Sequence, residues 1–551
     1  MFLEGFPQAP PCSHCSSLAR SRPCSVCPQT PPSPCHGRPY GTFLGANAGN
    51  VTEFLGVPYA QAARFELPQT PATLPGIQNA TDFGATCPQQ MLSGSSPPEP
   101  GPFSEDCLNL DVYRPVTSTA QSKLPVFVWI FGGGFEIGSS RDINWLPIIE
   151  RSISTAEPIL VVSINYRVNA FGFLAGKEVA AAGVTNLGMR DQIFALEWVQ
   201  QNIAAFGGDP TRVVLGGVSS GAISAGLLLL DNNKSSNTLF HGAFMQSGSP
   251  DTSPLVSGGQ ADYDELVSAS GCSGAASTLD CLKQVPFDTI MAAINDSPDI
   301  FSFKSLNIVW RPRVDGDLLV QDPLISVDQG KYAQIPFLTG DSDDEGTLFS
   351  TSLLNITTSD EFLNYVQSNY LPAATAAQIT EIGQLYPDDP TQGSPFDTGT
   401  ADELSPEFKR LAAFQGDLIF QAPRRFFLEH ASSRQNTWSW LNKRFKDSSV
   451  LGSTHSSDNT IWFPLESSGD FTATDALINF INTLDPNLPG TPFGMSWPEW
   501  NAPSAAGSTS LLTFTDPDPT SGVDVILGAE DFRADAIAFL NGLLLDEAEG
   551  M

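Results

Sequence analysis

The chain has little positive charge. Its 551 residues carry 27 Lys and Arg against 60 Asp and Glu, a formal net charge of −33. That sign repels phosphate backbones and anionic bilayers, which argues against nucleic-acid or electrostatic membrane binding. The acidity reads most simply as a solubility feature. Long hydrophobic runs are also missing. The longest, Ala222 to Leu230, falls far short of the ~20 residues of a membrane span, so no integral membrane segment is expected. No internal repeat is visible. Histidine is scarce, with five in the chain, so a catalytic base can be sought by elimination.

What is present is enough for a large core, at 41% hydrophobic residues. About 150 residues per domain would suggest two or three domains, but large α/β folds run longer as one unit. Residues 38–551 are read here as one domain. Residues 1–37 form a leader rich in Pro, Ser and Cys, expected to be disordered or not native. Cys12, Cys15, Cys24 and Cys27 in it have a zinc-like spacing, but no core residues surround them, so neither a metal nor any other cofactor is assigned. The start, Met1-Phe-Leu-Glu-Gly-Phe-Pro, shows neither the basic nor the apolar region of a signal peptide. The body nevertheless holds four cysteines, Cys87, Cys107, Cys272 and Cys281, in two closely spaced pairs that read as disulfides. Sequons at Asn50, Asn79, Asn233, Asn295 and Asn355 agree with a secreted glycoprotein. A misassigned N-terminus would reconcile these signals.

Along the body, strands alternate with helices. Leu124 to Phe131 and Ile159 to Asn165 are continuously apolar, as strands covered on both faces are. Leu187 to Phe206 has a helical pattern, and Asp531 to Leu545 is expected to be a surface helix. This alternation predicts an α/β fold with a large, mainly parallel sheet and helices on both faces.

The chain is organised around Gly217-Val-Ser-Ser-Gly221. It follows the β-branched run at Val213 and precedes the helix-like stretch from Ala222. Strand, glycine-flanked turn and helix with Ser219 at the tip is a nucleophile elbow. A serine hydroxyl is a weak nucleophile and needs a base, and the base needs a carboxylate to fix its tautomer. His14 and His36 lie in the leader, His241 opens a strand and His430 sits within a helix. His455 remains, in a Gly/Ser loop beyond a strand, where sheet enzymes place catalytic groups. Asp341, Asp343, Asp344 and Glu345 follow one buried strand and are all candidates for the acid; the alternative is a solvated acidic turn. Gly132-Gly133-Gly134 after a buried strand can bring backbone N–H groups close to a developing oxyanion, joined by the N–H of Ser220.

Several stretches go further. Phe54-Leu-Gly-Val-Pro-Tyr-Ala60, Glu105-Asp-Cys-Leu-Asn-Leu110, Phe131-Gly-Gly-Gly-Phe135, Asn186-Leu-Gly-Met-Arg-Asp-Gln192, Phe206-Gly-Gly-Asp-Pro210, Gln246-Ser-Gly-Ser249 and Asp344-Glu-Gly-Thr347 together resemble the type-B carboxylesterase/lipase family, the cholinesterase-like α/β-hydrolases. The resemblance covers Gly41 to the C-terminus. It implies an α/β-hydrolase fold, nucleophile Ser219, acid Glu345, base His455, oxyanion donors Gly133, Gly134 and Ser220, and disulfides Cys87–Cys107 and Cys272–Cys281.

Departures from the family carry the substrate information. The usual elbow is Gly-Glu-Ser-Ala-Gly, and here Val218 replaces the acid that helps hold cationic substrates. The segment from Pro88 to Asp106 has no Trp or Tyr to cradle a quaternary ammonium, only Phe103. It is also short and rich in Pro and Gly, with Met91 and Leu92 its other large apolar groups, so a strong interfacial lid is not expected. The reading is a carboxylic ester hydrolase acting on a small-molecule ester. The alternatives are a lipase for longer acylglycerols and a non-catalytic binding protein of the same fold. Oligomeric state is left open.

Overall fold

The structure, a computed structural model, describes residues 35–37, 41–94, 102–230, 238–446, 448–465, 467, 469–501, 510–518 and 524–550. The leader cysteines Cys12 to Cys27 and the sequon at Asn233 lie outside them. The apolar runs form adjacent strands of one sheet because their side chains need cover on both faces. In chain order these strands are β1 (Ala46–Ala48), β2 (Val51–Pro58), β3 (Asn109–Pro115), β4 (Leu124–Ile130), β5 (Leu160–Ile164), β6 (Gly208–Val218), β7 (Gly242–Gln246), β8 (Phe337–Ser342), β9 (Thr437–Lys443), β10 (Ser510–Thr515) and β11 (Val525–Ala529). Their order across the 11-stranded sheet is β11-β10-β9-β8-β7-β6-β4-β5-β3-β2-β1. The centre, from β5 across to β10, is parallel, and the strands at both margins pair antiparallel.

Period-two alternation splits each central strand between two cores. In β4, Val126, Val128 and Ile130 join one cluster, while Phe127 and Trp129 join the other. Helices α1 (Leu146–Ser154) and α5 (Thr472–Thr483) cover the second face. Helices α2 (Leu187–Asn202), α3 (Ser220–Leu229), α4 (Ala422–Ala431) and α6 (Ala534–Gly550) contribute to the first. The last helix is the surface helix its sequence suggested, with Ala534, Asp535, Ala538, Gly542 and Asp546 exposed on one side. Ile537, Leu540 and Leu544 form a stripe at helical spacing and are buried in the first core.

Register positions the site. Gln246 at the end of β7 is level with Val218 of β6 and with Gly340 of β8. The carboxyl ends of these three parallel strands therefore open side by side, where open α/β sheets place their ligands. Disulfides join Cys87 to Cys107 and Cys272 to Cys281. Among the described residues no helix is long and apolar enough to cross a membrane.

Candidate active site

Ser219 stands between β6 and α3 with φ 56° and ψ −126°. A non-glycine residue in this region carries strain of about 1–3 kcal/mol, kept only where the surroundings impose it. The two flanking glycines impose it. A Cβ on Gly217 would lie 2.4 Å from the carbonyl carbon of Gly221, and a Cβ on Gly221 would lie 2.1 Å from the carbonyl oxygen of Ile130 in β4. The turn is also tied down by its neighbour, since the Ser219 N–H donates to the Gln246 carbonyl at 2.8 Å. Ser219 is half-buried and lines a cavity of about 260 Å³, whereas Ser220 is buried and is not part of that lining.

His455 lines the same cavity. Its Nδ1 lies 2.5 Å from Glu345 Oε2. Its ring packs against Phe349 and Phe420, with centroids at 5.0 and 4.9 Å. Among the described residues Ser219 and His455 share no direct hydrogen bond in this conformation. Such contacts commonly tighten when substrate binds. Glu345 is 1% exposed. Its Oε1 accepts from Ser247 Oγ at 2.7 Å and from the Ser342 N–H at 2.6 Å, so both oxygens of the carboxyl are engaged.

The acidic run is not a solvated turn. Asp341, Asp343, Asp344 and Glu345 are all buried, and each has different partners. Arg424 Nε donates to Asp341 at 2.7 Å. Lys446 Nζ bonds both Asp343, at 2.8 Å, and Asp344, at 2.5 Å. Asp344 also accepts from Ser394 Oγ and from the Phe396 and Ser453 N–H groups. Burial pushes the Asp341 carboxyl up to about 7 against the pull of Arg424, with Glu345's charge adding to the rise. Burial also works to raise Asp343, but Lys446, Lys443 and Arg533 hold it down to about 2. Of the four, Glu345 is the one bonded to a histidine.

Gly132, Gly133 and Gly134 line the cavity beside Ser219. Gly133 and Gly134 have φ of 104° and 64°, which side chains rarely adopt, and a Cβ on Gly133 would meet the Ile137 carbonyl oxygen at 2.4 Å. The Gly133 carbonyl accepts from the N–H groups of Glu136 and Ile137, which folds the loop into a tight turn. Among the described residues the N–H groups of Gly133 and Gly134 donate to no protein acceptor. Ser220 is the first residue of α3, so its N–H has no partner within the helix.

The rest of the cavity is apolar on two sides. Leu92, Ile300, Phe301, Leu348 and Phe349 belong to one small hydrophobic cluster, while Trp129 and Val218 belong to the core under the sheet. Asp142 also lines the cavity; its carboxylate takes the N–H and Oγ of Ser139, and burial raises its pKa. Sequence reasoning missed the Ser247 and Ser342 contacts on Glu345, the aromatic seat of His455 and the Leu348-Phe349 wall. The Gln246-Ser247 pair was visible as a motif, but nothing local in it pointed to Glu345, 98 residues from Ser247.

The carboxylesterase family model matches residues 34–516. Lipase 4 of Diutina rugosa is 37% identical over 88% of this chain and 94% of its own length. The secreted triacylglycerol lipase of Gibberella zeae is 35% identical over 91% of this chain and 89% of its own. In structure, the chain is similar to Aspergillus niger EstA, with a TM-score of 0.79 and 29% identity over 93% of this chain and 99% of that one.

Proposed function

The chain belongs to the carboxylesterase family, and on that premise we propose that it hydrolyses carboxylic esters through an acyl-enzyme on Ser219. The observation that carries this reading is the arrangement at the ends of β6 and β8. A strained Ser219 shares an apolar cavity with His455, whose Nδ1 is held by the buried Glu345. In the first half-reaction the Ser219 hydroxyl adds to the ester carbonyl while His455 Nε2 takes its proton. Glu345 fixes the imidazole tautomer and stabilises the imidazolium. The N–H groups of Gly133, Gly134 and Ser220 receive the oxyanion; one such donor is typically worth about 3 kcal/mol of transition-state stabilisation. His455 then returns the proton to the leaving alcohol. Water, deprotonated by His455, repeats the cycle on the acyl-enzyme and releases the acid.

The acyl or alcohol group that this cavity accepts is apolar. Leu92, Ile300 and Phe301 offer it no charge, and Val218 stands where an anionic neighbour would attract a cation. A lipase reading is favoured by one feature of the rim. Met91, next to the cavity residue Leu92, is 49% exposed, and two relatives of the chain are named as lipases. Secretion is proposed from the two disulfides, from a relative named as secreted, and from the exposed sequons at Asn50, Asn79 and Asn355.

The test is a fluorophosphonate probe together with p-nitrophenyl esters of rising chain length and emulsified triacylglycerol. The wild type should label and turn over, and Ser219→Ala should lose activity by about 10⁶-fold. A wild type that neither labels nor hydrolyses any of these esters sinks the reading. Faster turnover above the solubility limit of a long-chain ester would mark a lipase.

A further inference from the structure

Asp458 has no role in the mechanism above, yet it is fully buried three residues beyond His455. Its Oδ1 accepts from Gln246 Nε2 at 2.8 Å and its Oδ2 from Trp440 Nε1 at 3.2 Å. Trp440 is itself stacked on Phe244 and packed edge-on against Trp462. Gln246 connects this carboxyl to the rest of the site. Its main-chain carbonyl holds the Ser219 N–H, and its amide also donates to Asn459, which lines the cavity. One residue at the end of β7 thus fastens both the elbow and the loop that carries His455.

The other buried acids nearby suggest what Asp458 does. Asp341, Asp343 and Asp344 each form salt bridges with Lys or Arg. Among the described residues Asp458 forms none. Both of its oxygens are used as acceptors, yet holding a carboxylate there still carries the cost of burying a charge. The charged groups that act on Asp458 are Glu345, which raises its pKa, and His455, which lowers it. The cation available to compensate Asp458 is therefore the imidazolium that forms during the reaction.

We propose that Asp458 is a positioning residue of this site: a second buried carboxylate, held through Gln246, that favours the imidazolium of His455 and sets the low-pH limit of activity. This rests on the reading of Ser219, His455 and Glu345 as the reacting set. Burial first, then Glu345's charge, push Asp458 up to about 6, against the bonds donated by Gln246 and Trp440. Below that pH the carboxyl is neutral and its support for His455 is withdrawn. Asp458→Asn removes the charge and keeps the size, and because an amide has one acceptor oxygen it also gives up one of the two accepted bonds. Gln246→Met removes the donated bonds while leaving the main-chain carbonyl that anchors Ser219.

The experiment measures kcat/KM and the rate of fluorophosphonate labelling from pH 5 to 9. With Asp458→Asn the rate at pH 8 should fall about ten-fold and the acid limb should move down by up to about one pH unit. With Gln246→Met the acid limb should move the other way, to higher pH, because the ionised Asp458 has lost a donor. Shifts of opposite sign support the proposal, since damage to packing alone would lower both curves in parallel. Parallel curves, or an Asp458→Asn profile identical to wild type, overturn it. If Asp458→Asn does not fold, Gln246→Met decides alone, by an upward shift or a parallel loss. A wild type that neither turns over nor labels would instead overturn the ester-hydrolase reading.

Discussion

The two halves of the site are built differently. Around the elbow, position is set by the backbone: a positive φ at Ser219, glycines at 217 and 221 pressed against neighbouring main chain, and a glycine turn at 133–134. Around His455 it is set by side chains from distant segments: Glu345 with its serine donors, the Phe349 and Phe420 rings, and a cationic network that occupies the three acids before Glu345. In the proposed mechanism the first half provides donors that need no reorganisation as charge develops. The second holds the His455 ring, the proposed proton carrier, in one orientation. The halves should therefore fail differently, the backbone half through folding and the side-chain half through chemistry or pH tolerance.

The sharpest division is within the acidic run. Glu345→Gln leaves a similar shape but no negative charge behind His455 and is expected to lower kcat by about 10⁴-fold. Asp344→Asn, one residue away, should lower activity far less, and steady-state kinetics on one p-nitrophenyl ester compares them directly. Equal losses would erase the distinction between the triad acid and the network acids. On the backbone side, Gly221→Ala forces a Cβ to within 2.1 Å of the Ile130 carbonyl oxygen, so strand and helix must separate. A loss of roughly 3 kcal/mol in unfolding free energy is expected, read by urea denaturation.

A smaller effect concerns acid tolerance. Asp343 is held down to about 2 from an ordinary value of 3.8. Its contribution to stability is therefore complete above about pH 4 and is lost as pH falls through about 2. Lys446→Met should cost about 2 kcal/mol at neutral pH and raise the midpoint of acid unfolding. An unchanged midpoint would remove the network from the stability account. The smallest effect is expected for Ser220→Ala, since its part in the site is its N–H and its side chain is buried away from the cavity. Activity should stay within about three-fold of wild type; a loss on the scale of Ser219→Ala would mean the hydroxyl takes part.

The same contrast explains what was legible in the sequence. The elbow was, because a β-branched strand, two glycines and a helix lie within some twenty consecutive residues and sterics dictate their meeting. His455 was found by elimination from five histidines. Glu345 cannot be separated from Asp341, Asp343 and Asp344 by its own residues, and family resemblance alone singles it out in the sequence. In the structure the four differ in partners set by distant residues: Arg424, 83 residues from Asp341, and Lys446, 103 residues from Asp343, while Glu345 bonds His455. The Gln246–Asp458 contact spans 212 residues and left no local sign. The mainly parallel sheet is legible in its continuous apolar runs, and the last helix in its pattern: Ile537, Leu540 and Leu544 pack inward while Ala538, Gly542 and Asp546 stay exposed.

The central claim is that one strained serine is the nucleophile and that its neighbour is not. Peptide mapping of the fluorophosphonate-treated wild-type protein, with fragmentation that separates Ser219 from Ser220, tests it most directly. A single adduct on Ser219 is expected. An adduct on Ser220 or any other serine, or no adduct on a protein that hydrolyses esters, would contradict it.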